Sequence, residues 1–137
     1  MELKLGISAS RTKHITAQDI EAFARASGDM NPVHLDEAYA ATTTFGRRIA
    51  HGMLTASLVS AVLGNDLPGP GTIYLSQELK FKAPVYLDDE ITATVELVKY
   101  REDRHIATFR TTCTNQNGLL VLEGEAVVIA PATNASS

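Results

Sequence analysis

HGMLTASLVSAVLGNDLPGPG, residues 51–71, is the stretch whose reading decides the fold. Met53, Leu54, Ala56, Leu58, Val59, Ala61, Val62 and Leu63 are apolar and, laid on a helix, face nearly every direction. Only Thr55, Ser57 and Ser60 interrupt them, and all three are small. A helix that is apolar all round must be buried on most of its sides. Gly64-Asn65 and the run Pro68-Gly69-Pro70-Gly71 end it. From Gly52 to Gly64 such a helix is about 20 Å long.

The material to bury it lies downstream. Residues 71–85 alternate, with Ile73, Leu75, Leu79 and Phe81 expected on one face. Residues 90–101 align Ile91, Ala93, Val95 and Leu97, and two further strands are expected over 105–114 and 119–130. Gln116-Asn117-Gly118 is a strong hairpin turn between the last two, and Glu102-Asp103-Arg104 is a looser one. Consecutive hairpins make an antiparallel sheet. Four or five strands at about 4.8 Å spacing give a sheet about as wide as the helix is long. Its twist lets it curl around the helix. The fold class is therefore α+β, an antiparallel sheet wrapped on a long central helix. One sheet cannot cover the helix completely, and the remaining apolar surface and open edges favour a two-fold dimer.

Upstream, Thr16 is placed to cap a helix that carries Asp19 near its positive end and Ile20, Phe23, Ala24 and Ala26 at helical spacing. Gly28 stops it. Asn31-Pro32 is expected to stay extended, and Asp36 to cap a short helix through Glu37, Tyr39 and Ala40. A connector over 42–50 holds Gly46-Arg47-Arg48.

The chain has 137 residues, which favours one domain over 1–131 with a flexible tail at 132–137. Its net charge of -4 argues against nucleic acid and anionic membrane as partners. The single cysteine, Cys113, excludes an intrachain disulfide and is expected to be a buried, inert thiol. MELKLGISASRTKH lacks the apolar run of a signal peptide, and no stretch is apolar enough to span a bilayer, so a cytoplasmic location is expected. The sequon Asn134-Ala135-Ser136 is then a chance match.

SGDMNPVHLDEAYA, residues 27–40, carries the chemistry. Asp29 and His34 are a carboxylate and an imidazole in one loop, able to hold a water and exchange its protons. Read alone, the same residues also fit turn chemistry, with Asp29 and Asn31 satisfying backbone groups. Gly52, at the start of the buried helix, offers a free backbone N–H to developing negative charge. The histidines lack a third ligand at recognisable spacing, so no metal is expected. His51 reads as a residue of the helix start rather than a catalyst, and His14 and His105 as surface or strand residues.

SGDMNPVHLD, joined to Arg48-Ile49-Ala50-His51-Gly52-Met53-Leu54, resembles the MaoC-like hydratase motif. The likeness is to the short R-specific enoyl-CoA hydratases of bacterial polyhydroxyalkanoate metabolism. It runs from about Thr16 to Pro131 and takes in Gly69-Pro70-Gly71-Thr72-Ile73-Tyr74-Leu75 and Gly124-Glu125-Ala126. The resemblance implies a single hot-dog domain, paired as a homodimer. It implies Asp29 as main base, His34 as its partner on the water, Asn31 as support and Gly52 as oxyanion donor. Ser60 and Leu63 would line an acyl tunnel, with Tyr74 and Val128 as weaker candidates. Arg47, Arg48, Lys80 and Lys82 are candidates for coenzyme A phosphates. No cofactor is implied, since coenzyme A is part of the substrate. The expected reaction is reversible R-specific hydration of a short to medium enoyl-CoA. The alternatives are an acyl-carrier-protein dehydratase, a hot-dog thioesterase and a noncatalytic acyl-CoA binding module.

Overall fold

The structure is a computed structural model that describes residues 2–132. The sequon and all of the expected tail except Ala132 lie outside the described residues. The elements run β1 (Ser8–His14), α1 (Ala17–Ser27), α2 (Pro32–Leu35), α3 (Glu37–Ala41), α4 (Gly52–Asn65), β2 (Ile73–Phe81), β3 (Glu90–Arg101), β4 (Ile106–Thr114) and β5 (Leu120–Ile129). The five strands form one antiparallel sheet in the order β1-β3-β4-β5-β2. The sheet packs on α4 through β1, β2, β3 and β4. This is the helix-wrapped sheet that the helix and hairpin patterns imply, and the hot-dog arrangement that the resemblance implies.

One apolar cluster fills the space between helix and sheet. Val59, Val62 and Leu63 of α4 meet Ile91, Ala93, Val95 and Leu97 of β3, Phe109 of β4, and Leu122, Ala126 and Val128 of β5. Cys113 is fully buried there, and burial pushes its thiol up to about 12, so it stays unreactive. The helix is less enclosed than its composition suggests. Met53, Ser57, Ser60 and Gly64 form an open stripe along α4, with Met53 56% exposed.

Three further differences have physical causes. Ile73 does not share a face with Leu79 and Phe81, because the β2–β5 register shifts between Tyr74 and Ser76, with Leu75 left unpaired at the bulge. Such a bulge moves the side chains before it to the other side of the sheet. Tyr74 therefore pairs with buried Val128, while Ile73 lies opposite exposed Ile129. Next, β1 has no apolar alternation to announce it. It is an edge strand held by backbone pairing to β3 and by the hydroxyl pairs Ser10–Thr94 and Thr12–Thr92 at 2.7 and 2.8 Å. Finally, Pro32 opens the short helix α2 after an extended Asn31, since proline is tolerated at the first helical position.

The helix caps follow the sequence. Thr16 and Asp19 form a reciprocal capping box on α1, Gly28 ends it at φ 82°, and the Asp36 carboxylate caps α3 through the Tyr39 N–H at 3.1 Å. Among the described residues no helix is long and apolar enough to cross a membrane.

Candidate active site

The loop between α1 and α2 folds back on itself by side-chain bonds. The Asp29 carboxylate accepts from the Asn31 N–H at 3.1 Å, and the Asn31 side-chain oxygen caps α2 through the Val33 N–H at 3.2 Å. Asp29 is left exposed at the mouth of a cavity while His34, one turn further on, is buried. His34 Nδ1 lies 2.8 Å from the Ile49 carbonyl, which can only accept, so Nδ1 carries the proton. The neutral ring therefore presents Nε2 as a lone pair. Arg48 Nε donates to the His34 carbonyl at 2.7 Å and fixes the same turn from the other side.

His51 completes the cluster. Its ring stacks on that of His34, with centroids 3.9 Å apart, and its other neighbour is Phe23 of α1 at 4.8 Å. Its Nε2 donates to the Asp29 carbonyl at 3.1 Å. Ligand-type atoms of Asp29, His34 and His51 lie within 4.8 Å of one another. Spacing along the chain had not shown that third group. The set is nevertheless a poor cation cage. Nitrogen lone pairs lie in the ring plane, and two stacked rings cannot aim theirs at one point. Two acceptors within this distance are, by contrast, both reachable by one water, since each hydrogen bond spans about 2.8 Å.

Burial is the main cause that holds His34 below the ordinary histidine range, and the neighbouring imidazole adds to it. The Ile49 carbonyl and the Asp29 carboxylate pull the other way. His34 is thus a neutral acceptor near pH 7.

Gly52 begins α4, and its N-cap residue His51 supplies no side-chain bond to the helix start. Among the described residues the Gly52 N–H has no hydrogen-bond acceptor. Asp29, His34, His51 and Gly52 line one cavity of about 350 Å³ with Phe23, Met53 and Phe81. The Phe81 ring edge rests against Gly52, only 2.8 Å from where a Cβ would stand. A groove of about 490 Å³ shares Phe23 and Met53 with this cavity and continues along Ser57, Ser60, Tyr74 and Leu79. Its lining is mainly apolar, and it follows the open stripe of α4. A second cavity of about 370 Å³ lies across Phe81 and Gly52, with Lys82 and Thr55 in its wall.

The structure thus brings together Asp29, Asn31, His34 and Gly52, and it places Ser60 in the adjoining groove. Leu63 and Val128 lie outside it, in the core, 1% and 0% exposed. Of the four basic candidates, Arg48 is engaged with His34, Arg47 lies over the Tyr86 ring at 4.1 Å, and Lys82 lines a cavity near Gly52. Lys80 lies apart, in a cleft with Glu78, Glu123 and Glu125. The sequence reading did not single out Phe23 and Phe81. Both occur in ordinary apolar patterns, and only the fold sets them against the polar cluster.

The family model described as a MaoC like domain matches residues 3–117. The chain is 54% identical over 131 residues to the (R)-specific enoyl-CoA hydratase of Rhodospirillum rubrum, covering 96% of this chain and 90% of that protein. It is 53% identical over 129 residues to the (R)-specific enoyl-CoA hydratase of Aeromonas caviae, covering 94% and 96%. The solved structure of an (R)-hydratase from A. caviae involved in PHA biosynthesis matches with a TM-score of 0.92 at 53% identity, over 94% of this chain and 98% of that one.

Proposed function

We infer the activity from one premise: the chain belongs to the MaoC-like domain family. Its reaction is the reversible, R-specific hydration of trans-2-enoyl-CoA to (R)-3-hydroxyacyl-CoA. The observation that carries this reading is the shared cavity, which Asp29 and His34 line together with Gly52, whose N–H has no acceptor among the described residues.

The chemistry follows from those groups. A water held between the Asp29 carboxylate and His34 Nε2 gives a proton to the pair as its oxygen bonds to the β-carbon. Asp29 is assigned as main base and His34 as the partner that holds the water. The pair returns a proton to the α-carbon, so one water is added and the enzyme ends as it began. Negative charge gathers on the thioester oxygen in between. The Gly52 N–H, at the positive end of α4, is assigned to that oxygen, a contribution of about 2.7 to 4 kcal/mol in the transition state. Asn31 supports the site by holding the Asp29 turn.

Every step is a proton transfer or an addition to an already polarised double bond, so the reading assigns no metal and no cofactor beyond the coenzyme A of the substrate. Short to medium acyl chains are assigned to the groove past Met53, Ser57 and Ser60. The Aeromonas relative is named for PHA biosynthesis, and supply of polyester precursors is the corresponding role proposed here. The working unit is taken to be a homodimer.

The test is a hydration assay across enoyl-CoA lengths with chiral analysis of the product. Formation of (R)-3-hydroxyacyl-CoA is expected. Release of free coenzyme A without hydroxyacyl-CoA would indicate a thioesterase, and binding without turnover a noncatalytic module. Faster turnover of matched carrier-protein thioesters would move the assignment to an acyl-carrier-protein dehydratase.

A further inference from the structure

A residue at a helix N-cap ordinarily offers its side chain to the helix. Serine, threonine, aspartate and asparagine dominate there because a short oxygen reaches the free N–H groups. His51 holds that position on α4 and makes no such bond. Its ring turns away from the helix, is 2% exposed, and lies between Phe23 of α1 and His34 of α2. Its Nε2 donates to the main-chain carbonyl of Asp29, and its Nδ1 is buried without a hydrogen-bond partner among the described residues. A buried polar atom left unpaired is costly. A phenylalanine or leucine would fill the same space without that cost, so packing alone does not account for an imidazole here.

We propose that His51 is a positioning residue that ties the main chain of Asp29 and the ring of His34 into one rigid pair. The inference rests on the hydratase reading and adds to it. The bond to the Asp29 carbonyl fixes where the carboxylate emerges from an exposed loop. The stack sets the plane of His34, and therefore the direction of its Nε2 lone pair. Both are needed for one water to reach both groups.

The stack has an electrostatic side as well. The charged or titratable groups that meet His34 are His51 on its face, Asp29 across the cavity, and Arg48 at its carbonyl. Of these, His51 opposes and Asp29 favours a charge on His34.

The test compares His51→Phe and His51→Gln in the full chain. His51→Phe keeps a buried ring and loses the donor, so kcat should fall by up to about 100-fold with a smaller change in KM. His51→Gln keeps an N–H that reaches the Asp29 carbonyl and should recover much of that loss. In both variants the acid limb of the kcat/KM profile should move to higher pH. The ring resonances of His34 should titrate higher in the folded protein. Wild-type kcat and an unmoved acid limb in His51→Phe would overturn the proposal. So would losses that match the lost folded fraction while His34 titrates unchanged. Wild-type protein that hydrates no enoyl-CoA would overturn the hydratase reading itself, which is a separate result.

Discussion

Replacing Asp29 by asparagine removes a proton acceptor and leaves its turn intact. The only bond its carboxylate makes within the described residues is to the Asn31 N–H, and an amide oxygen can accept that bond equally well. Asp29→Asn should therefore melt like the parent while kcat drops by about 10²- to 10⁴-fold, the range for a lost general base. Stopped turnover together with an unchanged melting curve is the expected pair of results, and full activity would remove Asp29 from the mechanism. His34 predicts a pH dependence. Its folded pKa is depressed, first by burial, so the folded protein resists protonating it. The unfolded chain takes up that proton at about 6.5, the ordinary histidine value. Between these two values the unfolded state binds more protons, so stability should be full above about pH 6.5 and be lost as pH falls through the folded value. The acid limb of kcat/KM should likewise lie below the ordinary histidine range. A limb at or above that range would contradict a neutral His34. At this scale Asp29, Asn31 and His34 were legible because one short loop carries all three. His51 was legible as a helix start but not as a neighbour of both. Its role depends on a stack of rings from α1, α2 and the α4 N-cap, and no local spacing encodes that.

Elements whose signals are local were readable from sequence, and those defined by their partners were not. The Thr16 cap of α1, the glycine stop, the Asp36 cap and the alternation of β3 each sit within a few residues. β1 exists because β3 offers it an edge, and its own polar sequence gives no sign of it. The bulge in β2 is equally silent, yet it decides that Tyr74 rather than Leu75 pairs with Val128. The most demanding position in the sheet is Gly124, which pairs with Leu79 of β2. A Cβ there would stand 1.8 Å from the Glu78 carbonyl oxygen, a backbone atom that cannot rotate aside. Gly124→Ala should force β2 away from β5 at the groove wall and cost about 3 kcal/mol, the upper end for overpacking. That corresponds to a Tm lower by about 10 °C for a chain of this size. Gly64→Ala is the matched control, since nothing lies within 4 Å of its added Cβ on a helical backbone. It should hold or raise Tm by removing a flexible residue from α4. Equal melting of the two variants would mean that the β2–β5 contact is looser than described.

At the scale of the whole molecule, the two sheet edges are built differently. β1 presents Arg11 and Lys13, charges that discourage another strand from pairing. β2 opens with Ile73, Tyr74 and Leu75, which are 56%, 40% and 50% exposed, and its outer backbone edge has no strand partner among the described residues. The same strand walls the groove whose other side is the open stripe of α4. A second copy meeting β2 across a two-fold axis would extend the sheet, cover these side chains and close the groove. That single step would answer both the apolar surplus of the helix and the unpaired edge. Leu75→Lys places a charge at the β2 bulge, where a lysine blocks strand pairing. The parent protein should run as a dimer in light scattering, and Leu75→Lys should shift toward monomer. Leu75 also lines the groove, so a lysine there and the loss of the partner should both raise KM for enoyl-CoA, most for longer acyl chains, whose added methylenes lose about 0.8 kcal/mol each when left in water, and the oligomeric state is the readout that reports the interface. His34 and Asp29 lie away from Leu75, in the neighbouring cavity, so kcat on a short substrate at saturation should change much less than KM. A monomeric parent, or a dimeric variant with the parent's KM across all lengths, would show that β2 does not carry the interface.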